Sequence, residues 1–171
     1  NKVTKTRTEF TGSVANLGSI TLNHAELTLG AKTVVSTAGN LTATNNALIS
    51  SGGDINLVVG GTLNLIGSSV TGEKNVTIFA NELNVKSVLV PFQDRYGSGT
   101  KLGNISSINS TAGNISLNST GNVTFEGSTA TASNGSLTIN AGGNISILPL
   151  FATYQGNYRE GDWHVNASSL D

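Results

Sequence analysis

Residues 113–128 read GNISLNSTGNVTFEGS, and one short phrase occurs twice within them. Each copy begins with glycine and asparagine, at 113–114 and 121–122, and continues as alternating apolar and hydroxyl residues. An alternation with a period of two predicts a β-strand with its apolar side chains on one face. Glycine adopts the positive φ of a tight corner, and asparagine bonds its own backbone there. The stretch therefore predicts two short strands, each entered through a corner.

The same phrase recurs along the chain at a nearly constant spacing. A first series has steps of 18 to 22 residues and is anchored at Gly18, Gly39, Gly61, Asn81, Gly103, Gly121 and Gly143. A second series has steps of 21, 39 and 22 residues and is anchored at Gly53, Lys74, Gly113 and Gly135. The step of 39 is close to two periods and indicates one circuit that has lost its phrase. A period near 20 residues is typical of a solenoid.

The repeat predicts an all-β fold, a parallel β-helix with about 20–22 residues per coil and about seven coils. Stacked coils lie about 4.8 Å apart, so each strand pairs with the coils above and below it. We expect one buried column along the axis, formed by Leu63, Leu83, Ile105, Val123 and Ile145. Asn104, Asn122 and Asn144 are expected to stack as an amide ladder.

Composition limits the classes of function. Only 11% of the 171 residues are charged, the net charge is −1 and cysteine is absent. Without a basic field, binding to nucleic acid is not expected, and thiolate metal sites are excluded. No apolar run reaches the roughly 18 residues that cross a bilayer. We predict no cofactor, no metal site and no membrane-spanning segment, and we expect the isolated chain to be monomeric.

The repeated segments now point to a family. AGNLTAT, GGDINLVVGGTLNLIGS, TAGNISLNSTGNVTF and NAGGNISIL, within about residues 13–150, resemble the haemagglutinin repeats of two-partner secretion exoproteins. That group includes filamentous haemagglutinin and contact-dependent inhibition proteins. The resemblance implies a right-handed parallel β-helix from a long filament that a Gram-negative bacterium secretes to its surface.

The resemblance also implies partners and a purpose. Such filaments cross the outer membrane through a partner barrel protein, and they bind host cells or display a toxin. The Asn-Pro-Asn motifs of the family's secretion domain are absent, so residues 1–171 are expected to be one segment of internal shaft. Its expected role is adhesion to a protein or glycan receptor, with the stalk of a contact-dependent inhibition toxin carrier as the alternative. Residues 1–12 are expected to cap the N-terminal end of the core.

A polysaccharide-active enzyme is a weaker alternative, because some parallel β-helices are lyases or hydrolases. Such chemistry requires clustered acids and bases on adjacent coils. The chain has ten acidic residues, and none are neighbours one coil apart on a shared face. His24, between two strand segments, is expected to be a corner residue and not a base. We therefore predict no catalytic residue.

Two stretches interrupt the repeat, at residues 90–101 and 148–165. They contain both prolines, all three tyrosines and the only tryptophan, and we expect irregular excursions there, because proline ends a strand ladder. Excursions from a rigid scaffold are common places for binding, and tyrosine, tryptophan and arginine are favoured at interfaces. The expectation that these residues only cover an end of the solenoid stays open. The candidate binding residues are Arg95, Tyr96, Tyr154, Tyr158, Arg159, Trp163 and His164.

Overall fold

A computed structural model describes residues 6–16, 18–156, 163–166 and 169–170, the backbone alone at 163–166. These residues form strands joined by short corners and contain no helix. In chain order the strands are β1 (Thr6–Phe10), β2 (Val14–Asn16), β3 (Ile20–Asn23), β4 (Ala25–Leu29), β5 (Val34–Thr37), β6 (Leu41–Thr44), β7 (Leu48–Ser51), β8 (Ile55–Val59), β9 (Thr62–Ile66), β10 (Ser69–Gly72), β11 (Val76–Ala80), β12 (Glu82–Lys86), β13 (Leu89–Asp94), β14 (Gly97–Leu102), β15 (Ser107–Ser110), β16 (Ile115–Ser119), β17 (Val123–Glu126), β18 (Thr129–Ala132), β19 (Leu137–Ala141), β20 (Ile145–Leu148), β21 (Leu150–Gly156), β22 (Trp163–Asn166) and β23 (Ser169–Leu170).

Three parallel sheets run along the axis of a β-solenoid. Sheet A has the order β1-β4-β7-β10-β15-β18-β23, sheet B has β2-β5-β8-β11-β16-β19, and sheet C has β3-β6-β9-β12-β17-β20. One full coil contributes one strand to each sheet, and about six coils follow one another about 22 residues apart, with β23 as a seventh strand of sheet A. The prediction of an all-β parallel solenoid is confirmed.

Alternating apolar side chains point inward and form the core. In sheet C, Leu41, Leu63, Leu83 and Val123 lie in register on four successive coils, and all four are fully buried. The matching column of sheet B includes Ile55, Val76 and Ile115. Burial of aliphatic surface on every coil is the main source of stability, which is why the alternation has to repeat.

The coil count and one member of the predicted column are wrong. β12 pairs directly with β17, Leu83 opposite Val123, although 40 residues separate them. Likewise β11 pairs directly with β16, so the step of 39 is one coil with an insertion and not two coils. The phrase at Gly103 is the end of that insertion, and Ile105 is 50% exposed, outside the core. The solenoid therefore has about six coils and not seven.

The repeated glycines are explained by the close approach of neighbouring coils and not by their own φ angles. Among the described residues, the glycines with positive φ are Gly67 and Gly127, and neither anchors a phrase. A Cβ on Gly121 would lie 2.8 Å from the carbonyl oxygen of Asn81 on the previous coil, and one on Gly39 would lie 2.9 Å from that of Gly18. The expectation of positive φ at the anchors is wrong, because glycine is required there for corners to stack.

The asparagines beside these glycines connect neighbouring coils. The Asn122 Oδ1 atom accepts a hydrogen bond from the backbone N–H of Asn144 at 2.8 Å, and the Asn40 Oδ1 atom accepts one from the backbone N–H of Thr62 at 2.9 Å. They thus bond the next coil and not their own backbone. Asn104 lies at the end of the insertion, so the expected ladder of Asn104, Asn122 and Asn144 is wrong in that member.

One corner, between sheets C and A, has a left-handed backbone on several coils. His24, Asn45, Gly67 and Gly127 occupy it with φ between 50° and 58°. His24 is a corner residue, as predicted, and its Nδ1–H donates to the carbonyl oxygen of Asn45 at 3.0 Å. Two coils lack such a residue at this corner, the one ending in β12 and the one ending in β20. Both predicted excursions leave the solenoid there.

The first and last coils leave core residues open. Phe10, Val14, Ile20 and Leu22 line a cavity of about 260 Å³ at the N-terminal end. Residues 6–10, part of the expected cap, form β1 and pair with β4 as the first strand of sheet A. At the other end Ile145, the last member of the predicted column, is in register with Val123 but is 48% exposed.

Candidate functional site

The two excursions form one antiparallel sheet, sheet D, with the order β13-β14-β21-β22. β13 and β14 are a hairpin, β14 pairs with β21, and β21 pairs with β22. The expectation of irregular excursions is wrong, because regular strand pairing satisfies their backbone groups. The excursions leave from coils two steps apart, at β12 and β20.

Asp94 fixes the two-residue turn of the hairpin. Its Oδ1 atom accepts hydrogen bonds from the backbone N–H groups of Tyr96 at 2.8 Å and Gly97 at 2.9 Å. Arg95 and Tyr96 are therefore held at the tip. The Arg95 guanidinium lies 4.3 Å from the centroid of the Tyr96 ring and donates a hydrogen bond to its hydroxyl group. The tip presents an aromatic ring covered by a cation.

Two glycines let β21 approach the hairpin. Gly97 lies opposite Gly156, and Gly99 lies opposite Tyr154. A Cβ on Gly99 would be 2.8 Å from the Tyr154 Cα atom, so any side chain there would separate the strands. The Thr100 Oγ1 atom accepts from the backbone N–H of Thr153 at 3.0 Å and adds a contact between the two excursions.

An aromatic pair spans sheet D above Gly99. Phe92 and Tyr154 flank this glycine in register on the two neighbouring strands. Their rings stack with centroids 5.8 Å apart and planes 8° from parallel, and the Lys101 Nζ atom lies 6.0 Å from the Phe92 centroid. Sequence reasoning missed Phe92 and Lys101. The signal was the glycine inside a strand, which leaves room for neighbouring rings.

Sheet D also has a shallow groove of about 550 Å³. Its lining includes Gln93, Ser98, Thr100 and Thr153 together with Pro91 and Phe92. Pro91 lies on β13, an edge strand, where a missing N–H leaves no ladder bond unmade. Hydroxyl groups and an amide thus lie in one groove with Pro91 and the Phe92 side chain.

Serines close the solenoid beneath the inserted hairpin. Ser87 and Ser106, both buried, lie on either side of the insertion, and the Ser106 N–H donates to the Ser87 Oγ atom at 3.0 Å. The Ser106 hydroxyl contacts the carbonyl oxygens of Lys86 at 2.7 Å and Leu65 at 3.1 Å. The hairpin is therefore anchored on a continuous core, and its base has a defined geometry.

The structure brings three of the seven candidate residues into one sheet with described side chains. These are Arg95 and Tyr96 at the tip and Tyr154 on β21. Trp163 and His164 are on β22, where the backbone pairs with Thr153 and Ala152. The predictions for Tyr158 and Arg159 lie outside the described residues.

The pKa of Tyr154 is raised above its ordinary value by partial burial, then by the charge and hydrogen bond of Asp94. The Tyr154 hydroxyl donates to the Asp94 Oδ1 atom at 3.4 Å. The protonated phenol is thus favoured in the folded chain. The stability that this contact contributes is present below about pH 10 and is lost as the pH rises through the raised pKa of Tyr154.

We expect Asp94→Asn to lower the Tyr154 pKa without restoring it fully, since burial remains. Phenolate absorbance, compared with Tyr154→Phe to isolate this residue, measures it; an unchanged titration would contradict the contact.

No family model, no curated protein and no solved structure matches the chain. In the part of the chain that the structure describes, no three metal-ligating side chains are grouped together. The same residues include no helix of the length and apolarity needed to cross a membrane.

Proposed function

We propose that this chain is a shaft segment of a large secreted bacterial surface exoprotein, and that sheet D contributes to adhesion. The whole protein would belong to the two-partner secretion group, reach the cell surface through an outer-membrane partner transporter, and bind a host-cell or bacterial receptor. The observation that carries the proposal is the projection of one aromatic sheet from an otherwise regular, weakly charged solenoid.

The geometry of sheet D supports a recognition role. A surface that only covers the solenoid does not require strands from coils two steps apart to pair, or a turn that fixes Arg95 and Tyr96 outside. Tyr96 is 54% exposed at the tip. Rigid aromatic and arginine side chains at a projecting edge are typical of binding hot spots, and both glycan and protein receptors suit them.

The test replaces Tyr96, Tyr158 and Trp163 with alanine and measures binding of the labelled chain to cultured mammalian epithelial cells. We expect the affinity to fall at least tenfold, about 1.4 kcal/mol, because hot-spot aromatics carry much of an interface's energy. The melting temperature should stay within about 2 °C, since sheet D lies outside the core.

Two further variants make the result decisive. Gly99→Val, which separates β14 from β21, should abolish binding while the solenoid stays folded. Ile66→Ala, which removes an exposed apolar side chain from sheet C, should bind normally. Absence of cell binding by the unmodified chain would instead favour a plain stalk, as in a toxin carrier. Loss of stability without a specific binding defect would show that the aromatics only pack.

A further inference from the structure

A second surface, away from sheet D, has the features of a ligand site. It is a groove of about 780 Å³ at the corner where sheet B leads into sheet C, whereas sheet D leaves at the corner between sheets C and A. Strands β8, β11, β16 and β19 all contribute to its lining. Its volume is within the range of about 300–1,000 Å³ that small-ligand sites occupy.

An outward column of side chains forms one wall of the groove. Phe79, Asn118 and Asn140 lie in register on three successive coils, about 4.8 Å apart. Phe79 is 50% exposed although it lies in the middle of a sheet, and Asn140, two coils further along the same column, is also exposed. Phe79 therefore presents an aromatic ring to solvent in the same column as two side-chain amides.

Hydrogen bonds hold the polar groups of this groove in place. The Asn140 Nδ2 atom donates to the Asn118 Oδ1 atom at 3.0 Å, and the Asn118 Nδ2 atom donates to the Ser116 Oγ atom at 3.1 Å. At the corner, the Thr120 hydroxyl donates to the Asn81 Oδ1 atom at 2.7 Å. These amides and the hydroxyl are therefore oriented before any ligand binds, which lowers the entropic cost of binding.

The chemistry of the lining selects the class of ligand. The described residues around the groove carry no ionisable side chain, so they offer no partner for the charge of an anionic or cationic ligand. β11 and β16, which carry Phe79 and Asn118, are each paired on both sides, so an extended peptide cannot add a strand to either of them. An exposed ring suits the apolar face of a sugar, and amides with hydroxyls suit its hydroxyl groups.

We infer that this groove binds a neutral oligosaccharide, with Phe79 stacking on a sugar ring and Asn118 and Asn140 contacting its hydroxyl groups. The oligosaccharide would lie along the solenoid axis, because the amides repeat in that direction. This site is separate from sheet D, and its test does not depend on the function proposed for that sheet.

The 171-residue chain is tested on an array of neutral hexose and N-acetylhexosamine oligosaccharides, with sialylated and sulfated glycans as acidic comparators. Binding to neutral members is expected, and Phe79→Ala should weaken it at least tenfold. Asn140→Ala should weaken it by a smaller factor. The melting temperature should be unchanged in both variants because the two side chains are exposed.

Ile66→Ala is the matched control, since Ile66 is also an outward apolar side chain but lies outside the groove. It should bind the same neutral glycans with unaltered affinity. Binding of acidic glycans alone, no neutral binding, or neutral binding that Phe79→Ala leaves intact would each overturn the inference. So would self-association that Phe79→Ala abolishes in the absence of sugar binding, because the patch would then be a protein interface.

Discussion

Val123→Asp is expected to prevent the solenoid from folding. Val123 is fully buried in sheet C, between Leu83 on the coil before it and Ile145 on the coil after it. A carboxylate there would have no partner among stacked aliphatic side chains, and its desolvation costs several kcal/mol. That loss is comparable to the whole stability of an average domain, about 5–15 kcal/mol. Circular dichroism should show no cooperative thermal transition.

Thr124→Asp provides the matched control on the same strand. Its side chain points to the outer face, opposite Asn84 of the previous coil. The same charge in water should cost about 1 kcal/mol or less, so the variant should fold and melt a few degrees lower. If both variants had the same melting temperature, the alternation along the strand would not distinguish inward from outward side chains.

Gly113→Ala is expected to destabilise the solenoid by about 3 kcal/mol, the upper end of the range for overpacking. A Cβ at this position would lie 2.5 Å from the Lys74 carbonyl carbon and 2.6 Å from the Asn75 nitrogen. Both atoms belong to the backbone of the preceding coil, so relief requires the two coils to separate. Denaturant unfolding should show a lower midpoint.

Gly52→Ala tests whether any glycine replacement would do the same. A Cβ on Gly52 would meet no atom within 4 Å, and alanine restricts the unfolded chain, so stability should be unchanged or rise by about 0.4–1 kcal/mol. Equal losses in the two variants would show that glycine acts through flexibility and not through stacking distance.

The periodic part of the fold could be predicted because every coil repeats the same physical requirement. Alternation identified the inward residues of sheets B and C, and the period identified the solenoid. The error at Ile105 had a visible signal. GNISS has Ser107 where the true phrases have a second apolar residue, and Ser107 begins β15 of sheet A. The prediction of a strand phrase at Gly103 relied on its glycine and asparagine, although the alternation of apolar residues that should follow is missing.

Sheet D could be predicted only in outline. The prolines and aromatics marked its two segments, but the pairing of Gly99 with Tyr154 joins residues 55 positions apart that belong to no repeat. Phe92 was missed because its role depends on the space above Gly99, which only the paired strands create. The groove beside Phe79 was missed for a similar reason, since the phrase predicts which face that residue occupies but not its neighbours along the axis.

The pairing of β14 with β21 has a mechanical consequence. In a simple solenoid each coil holds only its neighbours, so tension along the axis peels coils from an end one after another. Here the coil that ends in β12 and the coil that ends in β20 are tied together across the coil between them. A pulling force must rupture this tie before the outermost of the three coils can come away freely. Sheet D therefore acts as a clamp that makes these three coils yield as a block.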